Sequence, residues 1–164
     1  MLEEAGVDYQ VHQPEEAPPG RFTFPQITLG TGETIGQVPV ILNVLGDKFG
    51  LTGRSEIAKI LCQQAVLDAD DIFSAAQSGV FSENPARAAQ WFGLLQEKLA
   101  HTRFLVADTP TVADFHAVFA TEWVHKSFSP DAYDSFPRLA QWWKDICEHP
   151  PVQRMKTSGI PMIP

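Results

Sequence analysis

The chain has 164 residues, 44% of them hydrophobic, and a formal net charge of −8 at pH 7. That length holds one large domain or two small ones, with enough apolar residues for a core and no sign of disorder throughout. The negative balance argues against nucleic acid and anionic membrane as partners, because both attract basic surfaces. No apolar run approaches the roughly 18 residues of a membrane span, and the opening MLEEAGVDY has neither the basic nor the apolar region of a signal peptide. The expected protein is soluble and cytoplasmic. Cys62 and Cys147 lie far apart and fit no metal-ligand spacing, so they read as buried or half-buried thiols rather than catalytic groups.

Met1 to Tyr9 reads as the end of a helix, a stop at Gly6 and the start of a strand running from Val7 to Val11. His12 to Arg21 is polar and rich in proline and glycine, which makes it a loop. The stretch from Phe24 to Leu51 is the most informative. Ile27 and Leu29 alternate with Thr28, the period of a half-buried strand over Gln26–Leu29. Gly30-Thr31-Gly32 turns the chain, because glycine reaches positive φ at no steric cost. Glu33 to Ile35 returns as a short antiparallel strand. Gly36-Gln37-Val38 forms a corner, and Pro39 sits where a first helical residue would. Ile41, Leu42, Leu45 and Phe49 then recur at helical spacing, with Gly46 and Gly50 marking the helix end.

This stretch resembles the glutathione-binding half of a glutathione transferase: an x-Pro before a strand, a hairpin, a Gln at a helix start, then IL-x-x-LG-x-x-FGL. The resemblance implies that Pro25 is cis and that the backbone of Phe24 pairs with the cysteinyl part of glutathione. It also implies that Gln37 and Val38 hold the γ-glutamyl carboxylate at the helix N-terminus, where free N–H groups and the helix dipole favour an anion. Val38 stands where the family has a hydroxyl residue. One hydrogen bond is thereby lost, and the helix cap is weaker by about 1 kcal/mol. A rival register makes Val38-Pro39 the family's Val-Pro. It would delete the second strand and the corner, and residues 41 to 49 would have to be strand and helix at once. The Phe24-Pro25 register needs neither. In the family's terms LEEAGVDY is close to the end of the first helix and the start of the second strand. The resemblance then expects about 20 further residues upstream, carrying the catalytic Tyr, Ser or Cys, so no catalytic residue is assigned here. Glutathione is the implied co-substrate, with no other cofactor and no metal.

Leu51-Thr52-Gly53 breaks the pattern and separates residues 1–51 from an all-helical part, 54–164. Ser55 to Gln77 reads as a long helix with apolar residues at Ile57, Ile60, Leu61, Ala65, Ile72 and Phe73. Asp68, Asp70 and Asp71 cluster on it. With no second acidic segment to face them, they read as a solvated or interface face rather than a Mg²⁺ site. The resemblance adds that an Asp of this helix reaches the partner subunit's glutathione in some classes, a role open to Asp68 or Asp71. Asn84-Pro85 is a helix start, a capping amide before a first-turn proline. Trp91, Phe92, Leu95 and Leu99 form the buried stripe of that helix. Phe104 to Asp108 runs extended into Thr111 and Asp114, a capping box with Asp in place of Glu or Gln. This resembles the family's FLVGD-x-x-T-x-AD segment, whose role is structural.

The helix continues through Phe115, Val118, Phe119 and Trp123. His116 and His125 lie on it without ligand spacing and read as core or surface histidines. Ser127 to Ser135 is a loop. Pro137 opens a helix that places Leu139, Trp142, Trp143 and Ile146 on one face, similar to the family's penultimate helix. His149-Pro150-Pro151 stops it, and residues 152–157 form a last short helix. The expected fold is therefore α+β and mostly α. A truncated thioredoxin-like domain, lacking its first strand, precedes an all-helical glutathione-transferase C-terminal domain. Two functions follow from the resemblance. One is a homodimeric enzyme that adds the glutathione thiolate to small electrophiles. The other is a non-catalytic glutathione-binding or scaffold module.

Overall fold

One hairpin and eight helices follow each other through the computed structural model, which describes residues 6–10, 12, 25–128 and 131–157. Strands β1 (Gln26–Thr28) and β2 (Thr34–Gly36) pair antiparallel with Ile27 opposite Ile35. The Leu29 N–H donates to the Glu33 carbonyl at 2.8 Å and closes the turn, where Gly32 takes φ 99°. The strand expected over residues 7–11 is not found. Residues 7–10 take no regular structure and Val11 lies outside the described residues, as does the helix end expected at residues 1–5. A strand persists only against a ladder partner, and β1 and β2 pair only with each other among the described residues.

Helix α1 (Val38–Phe49) starts one residue earlier than expected, with Pro39 second. Gly50, at φ 69°, supplies the left-handed residue that ends it. Gly46, expected at that end too, lies inside the helix and serves a different purpose. A Cβ there would stand 2.7 Å from Thr52 Cγ2 and 2.9 Å from Val112 Cγ1. The helix can therefore press against these two residues only because position 46 has no side chain. The Leu51 N–H donates to the Gly46 carbonyl (2.7 Å), and the Leu51 carbonyl accepts from the Val112 N–H (2.9 Å).

Helix α2 (Glu56–Gln77) is capped by Ser55, whose Oγ accepts from the Ala58 N–H at 3.1 Å. Its buried face is the expected one only in part, at Ala65, Ile72 and half-buried Phe73. Ile57, Ile60 and Leu61 are 66%, 59% and 45% exposed, while Cys62, Ala65, Val66, Ala69, Ile72 and Ala76 are buried. Small residues let two helix backbones approach closely. Helix α5 (Val112–Phe128) answers with buried Ala113, Ala117, Ala120 and Val124, and α2 with α5 forms the most extensive helix pair of the fold.

Helix α3 (Val80–Glu83) leads into α4 (Pro85–Lys98). The Asn84 side chain makes no capping bond. Its backbone joins the two helices instead, the N–H donating to Val80 and the carbonyl accepting from Arg87. Residues 104–107 form a turn, with the Phe104 N–H on the Ala107 carbonyl (3.0 Å), rather than an extended run. Helix α5 runs on to Phe128 and α6 (Ala132–Ser135) follows, inside the stretch expected as loop. Helices α7 (Pro137–Glu148) and α8 (Pro150–Thr157) complete the bundle.

The expected capping box holds one end of a larger device. Asp114 Oδ2 accepts from the Thr111 N–H (2.8 Å) and hydroxyl (2.9 Å). Asp114 Oδ1 accepts from the Leu105 N–H (2.8 Å) and from Trp142 Nε1 (2.9 Å). One fully buried carboxyl thus joins the 104–111 segment, the start of α5 and α7. Burial pushes its pKa up against those four bonds, each of which pulls it down.

Candidate functional site

The corner between β2 and α1 is the most strained place in the described backbone. Gln37 takes φ 68° and ψ 116°, and among the described residues it is the sole non-glycine at positive φ. Such a conformation costs about 1–3 kcal/mol and persists only where the surroundings enforce it. Here the chain must leave the hairpin and enter a helix within one residue. The first intrahelical bond is from the Ile41 N–H to the Gln37 carbonyl at 3.0 Å. The N–H groups of Val38 and Val40 precede that bond and have no intrahelical acceptor, and Pro39 has no N–H at all. No side chain caps this end, and no acidic residue occupies the first turn. Two donors with no acceptor among the described residues thus sit at the positive end of the helix dipole, an arrangement that takes an anionic oxygen.

Pro25 is brought to the same place. A Cβ on Gly36, the residue before Gln37, would lie 3.9 Å from the Pro25 carbonyl oxygen. Phe24 lies outside the described residues. Val38 opens α1, and the rival register, which needed a strand after Val38-Pro39, has none there.

Beside this corner an apolar cavity of about 220 Å³ runs between α1 and α2. Pro39, Val40 and Val44 line it from α1, and Cys62, Val66 and Leu67 from α2. Cys62 is 1% exposed and burial pushes its thiol pKa up, so it stays protonated and inert as a nucleophile.

The acidic cluster does not act as a cluster. Asp68 pairs with Lys98 of α4 at 3.1 Å, Asp70 faces His116 of α5 at 3.6 Å, and Asp71 lines a second cavity between α2 and α4. Among the described residues no group of His, Cys, Asp and Glu has the arrangement of a metal site. The sequence reading missed this second cavity. The only signal for it was Trp91, spaced for a core position yet only half-buried.

His116 is largely buried beside Phe73, and that burial holds its pKa below 6.5 while Asp70 pulls it up. A histidine whose folded pKa is depressed favours the folded state fully above its unfolded pKa. The contribution declines as pH falls below about 6.5 toward the folded value, because the unfolded chain then binds the extra proton. The thermal midpoint is therefore expected to fall between pH 7.5 and 5.5, and to fall less steeply in His116→Phe. Parallel slopes in the two proteins would place the titration elsewhere.

Residues 78–150 match the family model for the glutathione S-transferase, C-terminal domain. Over 73 residues the chain is 29% identical to glutathione S-transferase F13 of Arabidopsis thaliana, covering 44% of this chain and 33% of that protein. Glutathione S-transferase 1 of Triticum aestivum is 26% identical over 82 residues, 50% of this chain and 36% of that protein. The chain thus spans about a third of the length of the curated relatives it matches. The structure superposes on a monomeric glutathione S-transferase of the hookworm Necator americanus with a TM-score of 0.82. The identity is 17%, over 98% of this chain and 89% of that one. A likeness at that identity speaks for the fold alone: mostly helical, with an all-helical C-terminal part and a small sheet.

Proposed function

From the match of residues 78–150 to the glutathione S-transferase C-terminal domain, we propose that the chain is a glutathione S-transferase family member that binds glutathione and serves its transfer to small electrophiles. The observation that carries this reading is the strained Gln37 at the uncapped start of α1. The γ-glutamyl carboxylate accepts from the N–H groups of Val38 and Val40, with the Gln37 side chain as third donor. The peptide part runs along Phe24-Pro25, and the α1–α2 cavity receives part of the electrophile. In this reading residues 1–51 form the glutathione-binding domain and 54–164 the helical one. Glutathione is the co-substrate and no further cofactor is used.

The working unit we propose is a cytoplasmic homodimer that detoxifies electrophiles. It pairs through the exposed Ile57, Ile60 and Leu61 of α2, with Asp68 or Asp71 reaching the partner's glutathione. Among the described residues no helix is long and apolar enough to cross a membrane.

In the transfer, the glutathione thiolate attacks the electrophilic carbon, a C–S bond forms, and the leaving group departs with its electron pair. A thiol of pKa near 8.5 is only about 3% ionised at pH 7, so a donor to the sulfur sets the rate. Neither described tyrosine suits this. Burial pushes the Tyr133 hydroxyl pKa up, and Tyr9 lies on the 7–10 segment, 44% exposed. This chain assayed alone is therefore expected to bind glutathione but to turn over an activated aryl halide slowly.

The binding reading is tested by two opposing substitutions. Gln37→Gly removes the backbone strain of about 1–3 kcal/mol, offset by about 0.5–1 kcal/mol of glycine chain entropy. Stability should hold or rise. Glutathione affinity should fall roughly 5- to 30-fold, the worth of about 1–2 kcal/mol for a bond to a charged group. Val38→Ser should tighten binding. Calorimetry in which neither change moves the affinity would put the carboxylate elsewhere.

A further inference from the structure

The second cavity lies between α2 and α4, has a volume of about 470 Å³, and shares only Asp68 and Asp71 with the glutathione reading. Its apolar wall is Ile72, Trp91, Leu94 and Leu95; its rim carries Asp68, Asp71, Glu97 and Lys98. Cavities of roughly 300–1,000 Å³ with an apolar lining and a few polar groups are the usual seats of small ligands. The charges here are unbalanced. Three carboxylates face one ammonium, and that ammonium is already paired with Asp68 at 3.1 Å. Among the described residues Asp71 and Glu97 have no ion-pair partner. The wall supplies a second attraction for positive charge. The Arg87 guanidinium stands 5.3 Å from the Trp91 ring centre, so this indole already holds one cation. Arg87 is not on the cavity lining, and Trp91 itself is.

From this combination we infer that the α2–α4 cavity binds a small organic cation, an arylalkyl or quaternary ammonium compound. Its apolar body rests on Leu94, Leu95 and Ile72. Its charge lies between the Trp91 face and the carboxylates of Asp71 and Glu97. Aromatic faces attract such cations because of the ring quadrupole, and the attraction grows as the site excludes water. A neutral molecule of the same shape gains only the apolar contact, and an anion is repelled.

The test is a titration of the full chain with benzyltrimethylammonium, followed by calorimetry and by the indole resonances in nuclear magnetic resonance spectra. The neutral carbon isostere and benzenesulfonate serve as comparisons. The cation should bind saturably and about tenfold more tightly than the isostere, shifting the Trp91 resonance, while the sulfonate should not bind. Asp71 and Glu97 are exposed side chains, so the pair Asp71→Asn and Glu97→Gln leaves the fold intact. It should weaken the cation about tenfold, since each exposed charge interaction is worth a few-fold. Lys98→Met removes the competing ammonium and frees Asp68, and it should strengthen binding two- to fivefold. Opposite responses to these two changes are not produced by a merely structural role. Absence of saturable binding, equal affinity for the neutral isostere, or indifference to both charge changes would overturn the proposal.

Discussion

Asp114→Ala is expected to cost about 3–5 kcal/mol of stability, because it strips several buried donors of their one shared acceptor. The carboxyl is 0% exposed and receives three N–H donors, from Leu105, Thr111 and Trp142, besides the Thr111 hydroxyl. Each buried donor left without an acceptor costs about 1–3 kcal/mol. Thr111 can turn its hydroxyl elsewhere; the three N–H groups cannot. Asp114→Asn separates shape from acceptor count. The amide keeps one oxygen and turns an NH₂ toward the other pair of donors. Its best orientation sets the NH₂ against Thr111, whose hydroxyl accepts and whose N–H is then unpaired. A loss of about 1–3 kcal/mol is expected, less than for alanine. Trp142→Phe removes one donor along with its need for an acceptor, so it should be milder still. The order Ala, then Asn, then Phe in chemical denaturation is the check. Equal costs for all three would mean that the packing of α7, rather than the carboxyl, holds this junction.

Half of that junction is legible in the sequence. Thr111 and Asp114 are three residues apart, and local spacing alone gives a capping box. The other oxygen serves Trp142, 28 residues away in sequence, and no local pattern announces a tertiary bond. The same limit governs α2. Periodicity finds a helix there correctly, but the helix has two apolar faces. Large residues at 57, 60 and 61 outweigh Ala and Cys in any reading by hydrophobicity. The small ones are nevertheless buried, because α5 is alanine-rich at the contact. Geometry alone would have divided the acidic residues. At about 100° per residue, Asp70 cannot share a direction with Asp68 and Asp71; it goes to α5, while the other two face the α2–α4 cavity. The hairpin and the start of α1 were readable because glycine and proline punctuate them. Gln37 was placed at the corner, but its positive φ was not foreseeable, since glutamine carries no signal for that conformation.

Gly46→Ala tests the contact that fixes α1, and with it the Gln37 corner, against the helical bundle. Two effects compete. Alanine is favoured over glycine inside a helix by about 0.8–1 kcal/mol. Against this, the new Cβ meets Thr52 Cγ2 at 2.7 Å and the two Val112 methyls at 2.9 and 3.1 Å. Neither neighbour yields easily. Thr52 is 3% exposed, and its hydroxyl donates to Asp47 Oδ1 at 3.0 Å; Val112 is 1% exposed at the first turn of α5. Both are β-branched and stiff at χ1. Overpacking of this kind costs about 1–3 kcal/mol, so the clash outweighs the propensity gain at most of that range. The thermal midpoint should fall, and glutathione affinity should fall with it, because α1 can relieve the clash only by moving off the bundle. Val112→Ala in the same chain makes room for the methyl. The double variant should then recover part of the lost affinity, even though Val112→Ala alone destabilises. A Gly46→Ala protein as stable as the parent would show that α1 is held loosely, and that the corner takes its position from the hairpin instead.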